Sequence, residues 1–390
     1  MTVAYPGKTS KPMALLRHGG FMLLVLLLGA CSDPGRSTAP AALSRVPLHI
    51  DLQAYHSLVD AQTRKSLIFA ETLRLSTEQF LHTPDATQQA ALQTAWLKAH
   101  NAFVAVLALA AIDQQAPLLF QIDAWPIEPG YLDSLPAYPD SGLISDVTLA
   151  ITAESLREQH GFTDSQEVSL GFHAMEYLIF ARSAADFLNL PGTTLSQPQP
   201  TAGTDGDQQQ QGEGGEVDPA GAVATDVLSR RRQTLKILAD LINQDLYQLV
   251  TGINTATTAS STATPANQLL AILTRSRHTS DRALAASQQL LTGEAGHGAF
   301  SSSSAEILQL TLRSLQQVFS SPADLGQALL PLAPKATADL LATLAQAQTL
   351  SGAPQPASEA DHAQLTLLVA ALPHHFDDLI AALNSHLAGH

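Results

Sequence analysis

The chain has a single cysteine among its 390 residues. One cysteine excludes a disulfide within the chain, so the fold must rely on its apolar core. Lysine and arginine are also scarce, with 20 of them against 35 aspartates and glutamates. This acidic balance argues against a nucleic-acid-binding protein, which needs a basic face.

Aromatic residues make up 5% of the chain, whereas hydrophobic residues as a whole make up 45%. Alanine and leucine dominate the apolar residues, which is typical of helices. No useful run of alternating apolar and polar residues, the pattern expected of a half-buried strand, is present. The sequence therefore predicts an all-α protein with sizeable cores.

Residues 1–30 have the pattern of an export signal, with a positive start and an apolar run too short to span a membrane stably. Its three basic residues are Lys8, Lys11 and Arg17, so removing the segment changes the formal net charge from −15 to −18. Leu28–Cys31 resembles a bacterial lipobox. That resemblance implies a lipid on Cys31 that holds the protein on a membrane surface. The alternative is an ordinary secretory peptide followed by an incidental cysteine.

Differences in composition divide residues 31–390 into four segments. Residues 31–48 read as a flexible tether, 49–253 as a first helical bundle, 254–265 as a linker and 266–390 as a second bundle. Within the first bundle, residues 191–222 are rich in proline, glycine, threonine and glutamine, which predicts disorder. Helical periodicity predicts helices at about 52–81, 84–112, 145–159, 223–252, 266–291, 303–319, 322–349 and 361–387.

A further helix is predicted after Gly161, with Thr163 or Asp164 as its cap. It carries the segment Gly171–Phe180, in which His173 and Glu176 lie three residues apart. Residues at this spacing share a helix face, so an imidazole and a carboxylate converge among apolar neighbours. Such a pair needs a partner, which can be each other, a metal ion or a polar cavity.

Two ligands do not make a catalytic zinc site, and neither HExxH nor HxxEH is present. A metal ion at His173 and Glu176 would need further ligands from another helix or from the proline-rich stretch 117–146. The histidine and carboxylate candidates for this role are His100, Asp123, Asp133, Glu71 and Glu306. A mixed set of this kind suits iron, manganese or zinc rather than copper(I).

Trp96 and Trp125 are the two tryptophans of the chain. Both fall near these candidates, although core packing is the alternative role for each. Arg231 belongs to a basic run that either pairs along its helix or reaches the site to hold an anionic ligand. Ser301 reads as a helix cap or a polar residue of the site rather than a nucleophile, since no G-x-S-x-G pattern is present.

A cluster after Pro373 could open a helix or trap a metal ion at the surface. Its members are His374, His375, Asp377 and Asp378.

The sequence Gly171-x-His173-x-x-Glu176 resembles the GxHxxE signature of the imelysin family. Other segments resemble that family in the same order over about residues 48–385. They are Trp96 with Phe103, the Asp-x-Trp-Pro segment 123–126, Arg230–Arg232 and His297–Ser301. Where the family often has an acidic residue soon after Ser301, Glu306 could take its place.

This resemblance implies an exported bacterial protein of two helical bundles, with the motif facing a cleft between them. Together with the candidate residues above, it predicts a divalent or trivalent metal ion, iron or zinc, or a metal complex, held by His173 and Glu176 with help from Asp123 and His100. It also implies a lipid-anchored location on the periplasmic face of the cell envelope, and iron-uptake proteins as partners. Two alternatives stay open, namely a metallopeptidase that uses Glu176 and a scaffold that binds a peptide or partner protein.

Overall fold

The computed structural model of the protein describes residues 48–110, 116–188, 219–260, 263–352 and 358–389. The predicted signal, the lipid site at Cys31 and nearly all of the predicted tether and insert lie outside these residues. Within them the chain forms helices and no strand, which confirms the all-α prediction. The α-helices are α1 Gln53–His82, α2 Ala86–Leu109, α3 Ala116–Asp123, α4 Pro129–Leu132, α5 Ala153–Gln159, α6 Gly171–Phe180, α7 Pro219–Ser260, α8 Pro265–Thr292, α9 Ser304–Phe319, α10 Leu325–Leu329, α11 Pro334–Ser351 and α12 Glu359–Ala388.

The N-terminal helices pack around α1. Asp85 ends the break after α1 and caps α2 by accepting the backbone N–H of Gln88 at 2.8 Å. α1 packs on both α2 and α7, and α6 lies against α2 and α7. Their shared core is made of large apolar side chains with almost no exposure, among them Leu73, Phe80, Leu92, Trp96, Phe103, Phe172 and Leu238.

The C-terminal helices form a second bundle in which α12 packs along α8 and α11, and α9 packs on α8 and α11. α12 is long and apolar enough to cross a membrane by composition. Here it contributes Leu372, Phe376 and Leu379 to the core of this bundle. α2 also contacts α8 and α9, and the described residues all fall within one compact unit. The predicted domain boundaries stay predictions.

Several predicted helix limits were wrong. The helix predicted over 145–159 is confined to α5, because Thr152 caps it with a bond from the Ser155 N–H at 3.0 Å. The helix predicted over 322–349 is two helices, since α10 ends at Leu329 and Pro334 starts α11. Pro373 lies inside α12 rather than at a helix start.

The predicted cap of the motif helix was also wrong. Glu167 does accept the backbone N–H of Thr163 at 2.7 Å, but this closes a turn and not a helix end. α6 begins later, at Gly171, after an extended Leu170. The motif is therefore a short helix whose position depends on what its first residue touches.

Candidate metal centre

α6 begins in close contact with the end of α3. Gly171 has φ 82°, a conformation that suits glycine. A Cβ atom at this position would lie 2.4 Å from the carbonyl oxygen of Ile122. Because Ile122 precedes Asp123, the last residue of α3, this approach brings the motif helix beside the Asp123 carboxylate. The motif therefore begins with glycine for a steric reason, because a Cβ atom at this position would clash with the end of α3.

α2 is docked on α6 by Trp96. Its indole N–H donates to the carbonyl of Phe172 at 3.0 Å. One turn later on the same face, His100 stacks on Trp96 with ring centroids 4.7 Å apart. The His100 ring then lies 5.1 Å from the ring of His173. Trp96 is a buried packing residue that positions His100, so the alternative of core packing is the role that the structure gives it.

A further histidine near His173 comes from the loop between α8 and α9. Ser301 ties this loop to α6, because its backbone N–H and its hydroxyl both donate to Glu176 Oε1, at 2.8 and 2.7 Å. His297, on the same loop, reaches His173, and the two Nε2 atoms lie 2.9 Å apart. The site therefore combines the N-terminal helices with a loop of the C-terminal half.

We call His100, Asp123, His173 and His297 the histidine–aspartate cluster. Asp123 Oδ1 lies 3.1 Å from His100 Nε2 and 3.3 Å from His173 Nε2. Asp123 Oδ2 lies 3.3 Å from His297 Nε2. Metal–ligand bonds of about 2.0–2.1 Å put the ligand atoms of a tetrahedral ion about 3.3 Å apart. The three distances from Asp123 lie near that spacing, and all four ligand atoms lie within 4.8 Å of one another.

Glu176 lies behind the cluster rather than in it. Its Oε2 is 2.7 Å from His173 Nδ1, while Ser301 occupies Oε1. A carboxylate that accepts the N–H of one imidazole nitrogen orients the ring and leaves the other nitrogen free to bind a metal. Glu176 contacts His173 from the side away from the cluster, and its predicted role as a metal ligand stays a prediction.

The charges of the cluster are strongly coupled. Burial lowers the pKa of His100 to about 4, against the opposing effect of Asp123. Burial also disfavours a charged His173, but bonds to Asp123 and Glu176 outweigh it and raise the pKa of His173 to about 9. Burial opposes ionisation of Asp123, yet the charge of His297 and hydrogen bonds from the three histidines hold its pKa well below the ordinary value.

Burial opposes ionisation of Glu176 as well, but its hydrogen bonds with His173 and Ser301 outweigh this effect and lower its pKa.

The cluster is sealed on one side and open on the other. The side chains of His100 and His173 are fully buried, whereas 7% of Asp123 and 25% of His297 remain exposed. Trp125 stands beside the open side, with its ring 5.0 Å from His173 and 6.0 Å from His297. A metal ion or a further ligand would enter past Asp123 and His297.

The other candidates lie elsewhere. Arg231 was predicted as a residue of the site, but its guanidinium is buried on Asp133, with nitrogen–oxygen distances of 2.7 and 3.0 Å. The neighbouring arginines of the run donate to backbone carbonyls, so the run fastens loops to α7. Glu71 pairs with Arg74, and Glu306 accepts from Asn101 at 2.9 Å.

The sequence analysis missed the part played by His297. Its segment, His297–Ser301, was identified only by its resemblance to the imelysin family. No rule of sequence spacing links His297 to a histidine 124 positions away. Among the described residues, this cluster is the one group with at least three histidine, cysteine or acidic side chains placed to hold a metal ion. The surface cluster after Pro373 is not such a group.

Comparison with known proteins gave a consistent result. The family model described as imelysin, peptidase M75, matches residues 59–379. A search of functionally curated proteins gave no match.

Solved structures that resemble the chain include two bacterial proteins. One is described as an iron-regulated protein A precursor from Parabacteroides distasonis ATCC 8503, with a TM-score of 0.54, 13% identity and coverage of 85% of this chain and 93% of that chain. The other is an imelysin-like protein from Psychrobacter arcticum 273-4, with a TM-score of 0.49, 15% identity and coverage of 84% and 94%. The first likeness shows a shared fold. Since the imelysin model spans the chain from α1 to α12, the protein belongs to the imelysin family.

Proposed function

We propose that the protein binds a divalent transition-metal ion in the histidine–aspartate cluster and takes part in metal handling at the bacterial cell envelope. One observation carries this proposal. The Nε2 atoms of three histidines and the carboxylate of Asp123 converge on one point, while Glu176 occupies the other nitrogen of His173.

Hydrogen bonding alone serves this arrangement poorly. When the Nδ1–H of a neutral His173 donates to Glu176, its Nε2 carries a lone pair. That lone pair lies 3.3 Å from Asp123 Oδ1, which is also an acceptor, so two acceptors meet there unless a cation lies between them. A proton can fill this role, and so can a metal ion that displaces it.

The ligand types narrow the choice of ion. Imidazole and carboxylate suit zinc(II) and iron(II), and thiolate or thioether groups, which favour copper(I), are absent from the cluster. The relative described as an iron-regulated protein A precursor makes iron(II) the first ion to test beside zinc(II). An iron-uptake role with partner proteins in the envelope is part of this proposal.

Binding accounts for the geometry better than peptide hydrolysis does. A zinc peptidase needs a general base close to the metal-bound water. Both oxygens of Glu176 are engaged, one by His173 and the other by Ser301. We therefore assign Glu176 to holding His173. The exported, lipid-anchored location rests on the signal pattern and on Cys31, outside the described residues.

The proposal is tested by calorimetric titration of the protein with zinc(II), and with iron(II) under anaerobic conditions. We expect one ion per chain, with an affinity reduced roughly 100-fold or more in His173→Ala, since losing a ligand should cost at least as much as losing an outer partner. His374→Ala is the matched control, because this exposed histidine lies on α12 away from the cluster. Absence of binding in the wild type, or equal losses in both variants, would overturn the proposal.

A further inference from the structure

The three histidines of the cluster differ in the surroundings of their second ring nitrogen. The Nδ1 atom of His100 is enclosed by the protein and has no hydrogen-bond partner within the described residues. The His100 ring stacks on Trp96, with centroids 4.7 Å apart, and lies 5.0 Å from the ring of Phe172. Neither of these side chains carries an oxygen or nitrogen acceptor. A proton on Nδ1 of His100 would therefore have no acceptor beside it.

The other two histidines do have a place for that proton. A metal-bound histidine almost always donates the N–H of its other ring nitrogen to a carboxylate, a carbonyl or water. His173 fits this pattern, because its Nδ1 lies 2.7 Å from Glu176 Oε2. His297 is partly exposed, so solvent can accept a hydrogen bond from its Nδ1. His100 is the one histidine of the cluster that does not fit.

The position of the proton on His100 decides what its Nε2 can do. A neutral imidazole carries one proton, so a metal ion on Nε2 would force the proton onto the enclosed Nδ1. A buried N–H without an acceptor is unfavourable, and a bound cation makes that N–H more positive. With the proton on Nε2 instead, His100 donates to Asp123 Oδ1 at 3.1 Å. The enclosed Nδ1 then buries a lone pair and no N–H.

The ring positions agree with this division. The rings of His173 and His297 lie 4.2 Å apart, and their Nε2 atoms are 2.9 Å apart. The His100 ring is farther from both, at 5.1 Å from His173 and 5.4 Å from His297. The two histidines that lie closest together are thus the two whose second nitrogen can be satisfied.

We infer that His173, His297 and Asp123 bind the metal ion of the cluster. His100 is a positioning residue, which donates to Asp123 Oδ1 from the sealed side. Two imidazoles and one carboxylate are a ligand set with which zinc(II) and iron(II) keep a position open. On the open side of the cluster, that position takes water or another small oxygen-donor ligand. This inference rests on the proposed function and adds the identity of the ligands and the class of the exchangeable one.

X-ray absorption of the zinc-loaded protein tests the ligand set, because it counts the imidazoles on the metal. The variants are His100→Gln and His297→Gln, each of which removes one imidazole from the cluster. We expect two metal-bound imidazoles in the wild type, two in His100→Gln and one in His297→Gln. A count of three in the wild type, or the loss of one in His100→Gln, would overturn this inference and leave the proposed function standing.

Calorimetric titration with zinc(II) tests the role of the N–H of His100. His100→Leu removes the donor to Asp123 and should lower the affinity about 10–100-fold, as for other outer partners of metal ligands. His100→Gln supplies an amide N–H and should restore most of that loss, whereas His297→Gln should lose at least as much as His100→Leu. His374→Gln, the same change at an exposed histidine of α12, is the control and should match the wild type.

Equal losses in His100→Leu and His100→Gln would show that donation to Asp123 is not what His100 provides, which overturns its positioning role. A wild type that binds no zinc would remove both this inference and the proposed function.

Discussion

Asp123 and Asp133 are both enclosed by the protein, yet their surroundings differ in kind. Asp133 is fully buried and paired with Arg231 at 2.7 Å and Arg182 at 3.1 Å. Asp123 is surrounded by three imidazoles. Arginine stays protonated in proteins and offers no lone pair to a metal, whereas imidazole can exchange its proton for a metal ion. The first aspartate therefore stabilises the fold, and the second belongs to the site that we propose binds a metal ion.

The largest expected effect comes from making the same substitution, aspartate to asparagine, at Asp133 and at Asp123. Asp133→Asn should lower the free energy of unfolding by about 3–5 kcal/mol, because it leaves the buried Arg231 without its counter-charge. Asp123→Asn should cost less than half of that and should instead abolish metal binding. Urea unfolding and zinc titration of both variants provide the measurements. Equal destabilisation by the two substitutions would erase the distinction.

A second prediction concerns the carboxylate behind the cluster. Glu176→Gln keeps the shape of the side chain but presents an amide to His173 and Ser301. The His173 ring should then be held less firmly in its orientation, and its basicity should fall. We expect zinc affinity to fall about 10–100-fold, as for other outer partners of metal-bound histidines. Glu71→Gln, a change of the same type on α1, is the matched control and should bind as the wild type does. Unchanged affinity in Glu176→Gln would mean that His173 does not depend on Glu176.

The smallest expected effect, about tenfold for each pH unit, is the pH dependence of metal binding. With a pKa of about 9, His173 is protonated at neutral pH, so a metal ion must displace that proton. Zinc affinity should rise with pH, by about tenfold per pH unit between pH 6 and 8 if one proton is released. Calorimetry in buffers of different ionisation enthalpy counts the released protons. An affinity that is flat over this range would place the metal away from His173.

His173 also links pH to folding. Its pKa is raised above the ordinary value of 6.5, so its contribution to stability is fully present below that value. It is lost as the pH rises towards 9. A bound metal ion should offset this loss, because it replaces the proton between His173 and Asp123.

Local sequence patterns predicted the helical fold of this protein and most of the residues of the histidine–aspartate cluster. Helical periodicity and composition predicted the all-α fold, and two of the wrong limits fell at helix starts that periodicity does not mark, the Thr152 cap of α5 and Pro334 at the start of α11. His173, Asp123 and His100 were identified as candidates and lie together. Glu176 was identified as a candidate as well but lies behind His173, and spacing on a helix cannot tell a ligand from the group that holds it.

The amino-acid sequence by itself determined which segments are helical and which side chains can ionise, because both follow from short-range periodicity and side-chain chemistry. It also determined that Gly171 alone in its motif lacks a Cβ atom, which permits the close approach to α3. Only the tertiary structure decided that His297 completes the cluster and that Arg231 does not join it. Those contacts join residues more than 90 positions apart, and they depend on how whole helices pack, which no local pattern records.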